Sequence, residues 1–365
     1  MTDTKDAATI TAEEPGTGLG RRAGVWLIAV FVGIAVGALM GMVHLPYAIL
    51  QPGPVTNTLG NDPAGKPLIT VAGKATYPTS GALDFTTVQV LGGPTNPVNV
   101  WQWISGQLDK TNAVVPEDEL FPTGATSKEV DQQGAAEMAD SQREAIAVAL
   151  RGLGQTVPEV VSIDALAEGS PAKGVLQPGD VLVSIDGKAV ATPDSVRAGV
   201  RAHKAGESVA FTVRRAGKEQ VLNVKTANEA GNAVVGVLLR TDFVFPTKVS
   251  INAGDVGGPS AGLMFSLAVF DKLTPGSLTG GANIAGTGTI DSAGTVGKIG
   301  GIRQKLVGAK RGGAAWFLAP AGDCNEVVGH VPEGLRVVKV ATFTQARDAV
   351  EAIAAKRAAA LPTCK

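Results

Sequence analysis

The chain has 365 residues, with 32 Lys and Arg against 33 Asp and Glu, a formal net charge of −1, and 44% hydrophobic residues. Such a length and apolar content can bury more than one core, so two or three domains are expected. The balanced charge, with no basic stripe interleaved with aromatics, excludes a nucleic-acid footprint. The 47 glycines follow no collagen period and therefore mark tight turns and close backbone packing.

Residues 1–22, rich in Thr, Ala, Glu, Asp and Gly, lack apolar periodicity and are expected to form a disordered tail. Arg21-Arg22 then precede Ala23 to Val43, a run without charge. About 20 helical residues rising about 1.5 Å each cross a hydrocarbon core, so 23–45 read as a transmembrane signal anchor. A cleaved signal peptide has a shorter apolar core and a small-residue cleavage site. With the arginine pair on the N-terminal flank, the tail is expected in the cytoplasm and everything after Pro46 outside it.

Segment 50–152 opens with strand-like runs, Leu68 to Val71 and Leu83 to Leu91, the second alternating through Phe85, Val88 and Val90. Trp101 and Trp103 are read as core residues, with a membrane interface or a binding surface as the alternative. Val114 to Gln133, polar and broken by Pro116, Pro122 and Gly124, is expected to be a long loop with room to cover a site. Ala136 to Leu150 reads as a helix with Gly152 just past its end.

From Val157 to Thr226 the pattern becomes short strands, turns and one helix. Gly169-Ser170-Pro171-Ala172, Pro178-Gly179-Asp180 and Ile185-Asp186-Gly187 occur in series around an apolar strand. Here the chain closely resembles a PDZ domain of the bacterial type, expected over 153–228, with Pro193 to Ala202 as its groove helix. Such a module captures an extended peptide between a sheet edge and that helix. By resemblance, Val160, Ser162, Val196 and Val200 are expected to line the groove. The alternative is a spacer with an empty groove.

Gly257-Gly258-Pro259-Ser260-Ala261-Gly262 follows a strand-like run and opens an apolar helical segment, Leu263 to Phe270. Glycines and proline turn the backbone sharply there. The first helical turn offers unpaired N–H groups to a developing oxyanion. A glycine-rich turn with Ser260 as a helix N-cap is the plainer reading. Downstream stand Thr287-Gly288-Thr289-Ile290 and Gly300-Gly301-Ile302-Arg303-Gln304-Lys305. Together these motifs resemble the proteolytic domain of Lon-type serine proteases, where Gly-Pro-Ser-Ala-Gly carries the nucleophile and a Gly-Gly motif precedes the catalytic lysine.

The resemblance implies a Ser260–Lys305 dyad, with Lys298 not the base and Thr287 contacting the lysine. A serine hydroxyl needs a proton acceptor, and an amine serves only when burial lowers its pKa from about 10.4 towards roughly 7 to 8. The backbone N–H groups of Ser260 and of Gly257 or Gly258 are the expected oxyanion donors. The chain departs from the family at Gly257, where many members are acidic, and at Thr289, where a glutamate is common. Asp255 either orients the loop or is merely solvated. Of the histidines, only His330 lies outside the membrane flank and the PDZ segment, so a histidine triad lacks support.

The whole resembles membrane-anchored Lon-like proteases carrying a PDZ domain. The implied fold class is α+β: a transmembrane helix, a Lon-type proteolytic domain, and a PDZ domain inserted between its two halves. Segment 50–152 is then its first part, 229–356 carries the dyad, and 357–365 is a tail. The expected function is an ATP-independent serine endopeptidase of extracytoplasmic proteins at a bacterial cell membrane, working through an acyl-enzyme. The alternative is a non-catalytic membrane-anchored peptide-binding scaffold. No cofactor, metal, nucleotide or nucleic acid is expected, and no Gly-x-x-x-x-Gly-Lys-Ser/Thr motif occurs. Partners are protein or peptide substrates and the membrane, with a homo-hexamer implied by resemblance. The only two cysteines, Cys324 and Cys364, are expected to form a disulfide that ties down the C-terminus, against free buried thiols.

Overall fold

The structure, a computed structural model, describes residues 20–62 and 65–365. Residues 1–19, which hold most of the expected tail, and the side chains of the Arg21-Arg22 flank lie outside this description. The first element is helix α1, Arg21–Met42, whose 20-residue stretch Ala23–Met42 is long and apolar enough to cross a membrane. In chain order follow β1 (Tyr47–Asn57), β2 (Ala82–Leu91), α2 (Val100–Leu108), β3 (Ala113–Pro116) and α3 (Ser127–Gly152). A middle group comprises β4 (Glu159–Leu166), β5 (Val181–Ile185), α4 (Pro193–Arg201), β6 (Ser208–Arg215), β7 (Lys218–Lys225) and β8 (Val237–Phe243). The last group is α5 (Gly262–Leu273), β9 (Asn283–Gly286), α6 (Ile302–Arg311), β10 (Trp316–Pro320), β11 (Arg336–Val340) and α7 (Phe343–Ala354).

Strands from both sides of the middle group build one six-stranded mixed sheet in the order β11-β10-β9-β2-β1-β3. Its centre is the parallel pairing of β2 with β9, Leu83 opposite Ile284 and Phe85 opposite Gly286. Successive strand residues point to opposite faces, so each strand feeds two cores. Leu83, Phe85, Ile284, Leu318 and Val338 meet α3, α5 and α7 on one face, where the Phe85 and Phe265 rings lie 5.5 Å apart. Ala285, Phe317, Ala319 and Val337 meet Ile302, Leu306 and Ala309 of α6 on the other. The mixed α+β class thus follows from the alternation itself, and the sheet is sandwiched between α5, which Ser260 precedes, and α6, which carries Lys305.

Helix α3 is longer than its apolar periodicity implies. Thr126 and Glu129 form a reciprocal capping box that starts it at Ser127. The expected loop Val114 to Gln133 is therefore mostly structured: β3 takes its first residues, a single turn spans Glu117–Glu119, and α3 takes its end. Gly152 closes the helix from within rather than beyond it. The core reading of Trp101 is also corrected. Its ring is half exposed, and its Nε1–H donates to the Gly37 carbonyl of α1 at 2.8 Å, whereas Trp103 is partly buried beside Tyr47.

The middle group forms its own sheet, β7-β6-β5-β4-β8, over a separate core of Val161, Ile163, Leu182, Val209, Phe211 and Val213. This sheet extends past the expected end at 228: β8 pairs antiparallel with β4 from Val237–Leu166 to Phe243–Glu159. At the far end of the chain Cys324 and Cys364 are disulfide-bonded, and Lys339 N–H donates to the Pro362 carbonyl, so the tail lies along β11.

Candidate active site

Ser260 stands just before α5. The N-cap of that helix is Ala261, with no side-chain cap, so the Ser260 hydroxyl is not spent on capping. Gly258, at φ 84°, makes the turn that a side chain would strain. The Ser260 carbonyl is pinned by two donors from the segment after β9, the Gly288 N–H at 2.8 Å and the Thr287 hydroxyl at 2.9 Å. Behind it, Ser141 Oγ of α3 donates to the Pro259 carbonyl at 2.9 Å. The serine is thus held by α3, α5 and the β9 turn together.

Lys305 lies one turn into α6, which begins after Gly301 in the left-handed region at φ 68°. Its side chain is 3% exposed, with Nζ 2.6 Å from Ser260 Oγ and 3.0 Å from Thr287 Oγ1. Burial pushes the Lys305 ammonium down from 10.5 to about 7, opposed by the nearby negative charge of Asp323. At neutral pH much of the amine is therefore free to accept a proton. Thr287, itself 1% exposed, connects the amine to the Ser260 carbonyl. Three residues far apart in sequence are thus brought within one hydrogen-bonded cluster.

The expected oxyanion donors are not equivalent. Gly258 N–H donates to the Gly134 carbonyl of α3 at 2.9 Å and is already engaged. Gly257 comes close enough to Gly134 that a Cβ there would lie 3.3 Å from its backbone. Ser260 N–H has no partner among the described residues and is the available donor. Asp255 is exposed at the mouth, Lys298 lays its aliphatic stem over Gly322, and Thr289 abuts Gly297. His203, just past α4, pairs with Asp186 in the turn after β5, and His330 contacts the Val328 carbonyl, so neither approaches Ser260. Among the described residues no group of three His, Cys, Asp or Glu is placed to hold a metal ion.

One residue of interest carried no sequence signal. Asp323, 4% exposed, accepts from the Ile299 N–H at 3.1 Å just before α6, and burial raises its pKa. Thr86 Oγ1 donates to the Gly286 carbonyl where β9 ends. Beyond that point the β9-facing edge of β2 has no strand partner among the described residues, because β9 pairs only with Ala82 to Phe85. This free edge, Thr86 to Gln89, lines a cavity of about 490 Å³ together with Pro54, Met138, Asp255 to Gly257, Ser260 and Lys305. A β-bulge at Gly53 lets β1 approach Thr87 more closely than any side chain would allow, and Thr87 Oγ1 donates to the Pro54 carbonyl.

The groove of the middle domain differs from expectation. Val196 and Val200 of α4 do line a cavity of about 520 Å³, but they face Val237, Leu238 and Leu239 of β8. Val160 and Ser162 sit one strand away. Ser162 is buried beneath Arg240, whose Nε donates to its hydroxyl at 3.3 Å, and Val160 pairs with Asp242. The cause is topological: after the hairpin at 227–234 the chain returns and adds β8 to the edge of β4, so β8 becomes the groove-side edge.

Fold and site together define a Lon-type proteolytic domain joined to a PDZ domain. Residues 247–355 match the Lon protease (S16) C-terminal proteolytic domain, and residues 137–226 match the PDZ domain. The chain is similar to the Lon protease of Clostridioides difficile (strain 630), 39% identical over 79 residues, which cover 22% of this chain and 10% of that protein. It is also similar to the Lon protease of Neorickettsia sennetsu, 33% identical over 92 residues, covering 24% and 11%. The matched segments thus span about a tenth of the length of these relatives. Among solved structures, the PDZ domain of an SdrC-like protein from Listeria monocytogenes is 23% identical, with a TM-score of 0.21 and coverage of 22% of this chain and 85% of that one.

Proposed function

We propose that the chain is a membrane-anchored serine endopeptidase that hydrolyses peptide bonds of extracytoplasmic proteins through a Ser260–Lys305 dyad, without nucleotide. The observation that carries this reading is the 2.6 Å contact between Ser260 Oγ and a buried amine titrating near neutrality. Neutral Lys305 takes the hydroxyl proton as Oγ attacks the scissile carbonyl. The resulting ammonium then protonates the leaving amine, and water repeats the sequence on the acyl-enzyme. Ser260 N–H, at the start of α5, faces the developing oxyanion, where preorganised donors contribute most. The free edge of β2 supplies main-chain partners for an extended substrate beside the serine, as in strand addition elsewhere. The PDZ groove between α4 and β8 is the second peptide site.

The test uses the full chain in nanodiscs, an unstructured fluorescent protein substrate and no nucleotide. Cleavage by the parent, its loss in Ser260→Ala, and an acyl adduct on Ser260 seen by mass spectrometry are expected. Unchanged cleavage in Ser260→Ala, or none in the parent under any condition, would leave the non-catalytic peptide-binding scaffold as the reading.

A further inference from the structure

Helix α2 has two apolar faces, one covered by the sheet and the other met by protein only where Trp101 touches α1. At about 100° per residue, Gly106 and Trp103 share one face while Trp101, Ile104, Ser105 and Leu108 share the opposite one. The first face packs on the sheet: a Cβ at Gly106 would lie 3.0 Å from Ile49 of β1 and 3.1 Å from Val114 of β3, and the Trp103 ring is 6.1 Å from Tyr47. On the other face Trp101 is 50% and Leu108 78% exposed. Ser105 does not make that face polar, since its hydroxyl donates to the Gln102 carbonyl within the helix. A short helix that is apolar on both sides requires a second apolar neighbour.

The position of Trp101 identifies that neighbour. Its indole lies against Gly37 and Gly41 of α1, where a Cβ would meet the ring at 3.7 and 3.8 Å, and its N–H is satisfied by the Gly37 carbonyl. Gly37 is five residues inside the end of α1 at Met42, which is about 7 Å along the helix axis. The 20-residue apolar stretch is about 30 Å long, the thickness of the hydrocarbon core, so Gly37 has no slack to rise into water. We propose that the bilayer covers the Trp101–Ile104–Leu108 face, making α2 an interfacial helix that holds the β1–β3 end of the sheet at the lipid surface. This inference rests on the reading of α1 as a membrane span. A tryptophan whose N–H is already bonded suits that depth, with its ring in the acyl region and no polar group left bare.

Because the native cysteines are bonded to each other, one added cysteine gives one label site. The full chain is reconstituted in nanodiscs with a nitroxide at Leu108→Cys, and separately at Ile34→Cys in the middle of α1. Both labels are expected to collide with oxygen in preference to a water-soluble nickel chelate, Ile34 the more strongly. A Leu108 label open to the chelate while Ile34 is in lipid would overturn the proposal and leave the span intact. Both labels open to the chelate would overturn the span reading as well. A Leu108 label closed to both reagents would mean that another copy of the chain covers α2, which also overturns it. An independent measurement keeps Trp101 as the sole tryptophan through Trp26→Phe, Trp103→Phe and Trp316→Phe. Its emission should be lost with phosphatidylcholine brominated near the top of the acyl chains and unaffected by iodide, and the reverse pattern refutes the assignment.

Discussion

Replacing Lys305 by Met should abolish turnover and, at mildly acid pH, stabilise the protein. The folded chain holds the Lys305 proton less tightly than the unfolded chain, with half-titration near 7 instead of 10.5. Below both values the two states are equally protonated, and the full cost of burying the ammonium opposes folding. At about 1.4 kcal/mol per pH unit that cost is on the order of 5 kcal/mol. Between about 7 and 10.5 the unfolded chain binds a proton that the folded chain lacks, so parent stability rises with pH and the penalty disappears. Methionine has a similar length and no charge. It forfeits the contacts to Ser260 and Thr287, worth about 1 kcal/mol each. The variant should therefore be about 3 kcal/mol more stable near pH 6, a rise in melting temperature of roughly 6 to 12 °C for a domain of this size. The advantage should shrink and vanish, or reverse, by about pH 10. Melting curves of parent and variant, taken in the same detergent across that range, give the difference directly and cancel titrations common to both. A difference that stays constant with pH, or a variant less stable at acid pH, would refute the view that burial depresses this amine.

On a small peptide, kcat/KM should rise with pH to a plateau with its half-point near 7. Lys305→Arg should be inactive, since a guanidinium is never deprotonated, while Lys298→Ala retains activity; the opposite ranking would reassign the base. Thr287→Val removes the hydroxyl that accepts from the Lys305 ammonium and donates to the Ser260 carbonyl. It should cut kcat by roughly 10-fold to 100-fold and move the half-point downward, and an upward move would contradict the geometry. Leu238→Arg in the β8 wall of the PDZ groove should raise KM for a protein substrate and leave small-peptide hydrolysis unaltered, with equal loss on both arguing for a structural role. The double variant Cys324→Ser/Cys364→Ser opens a 40-residue loop and should cost about 4 kcal/mol, read as a fall in melting temperature.

The local pattern around Ser260 marks a turn that only glycine and proline make cheaply and a helix start, and around Lys305 a Gly-Gly step before a second helix. Pairing the two as a dyad comes from the resemblance to Lon-type domains, and the structure places them 2.6 Å apart. The capping box that lengthens α3 was equally visible as Thr126-x-x-Glu129, but the proline and glycine punctuation before it masked the signal. Asp323 and the free edge of β2 had no such mark. An acidic residue becomes notable only once folding buries it behind Lys305, and an edge is free only relative to where β9 stops.

The PDZ groove and α2 share a deeper cause. Val160 and Ser162 fit the pattern of a groove strand, and they would form one if β4 were the edge of its sheet. Which strand is the edge depends on where the chain after 228 returns, and that choice is made by pairing across more than seventy residues. Trp101 poses the same problem in another solvent. Its spacing with Ile104 and Leu108 reports an apolar neighbour but cannot distinguish protein from lipid, since both reward burial of the same side chains. The proposal that the neighbour is lipid rests on the Trp101–Gly37 hydrogen bond, which ties α2 to a particular depth on α1. Periodicity therefore identifies the face, and only the long-range contact bears on what it meets.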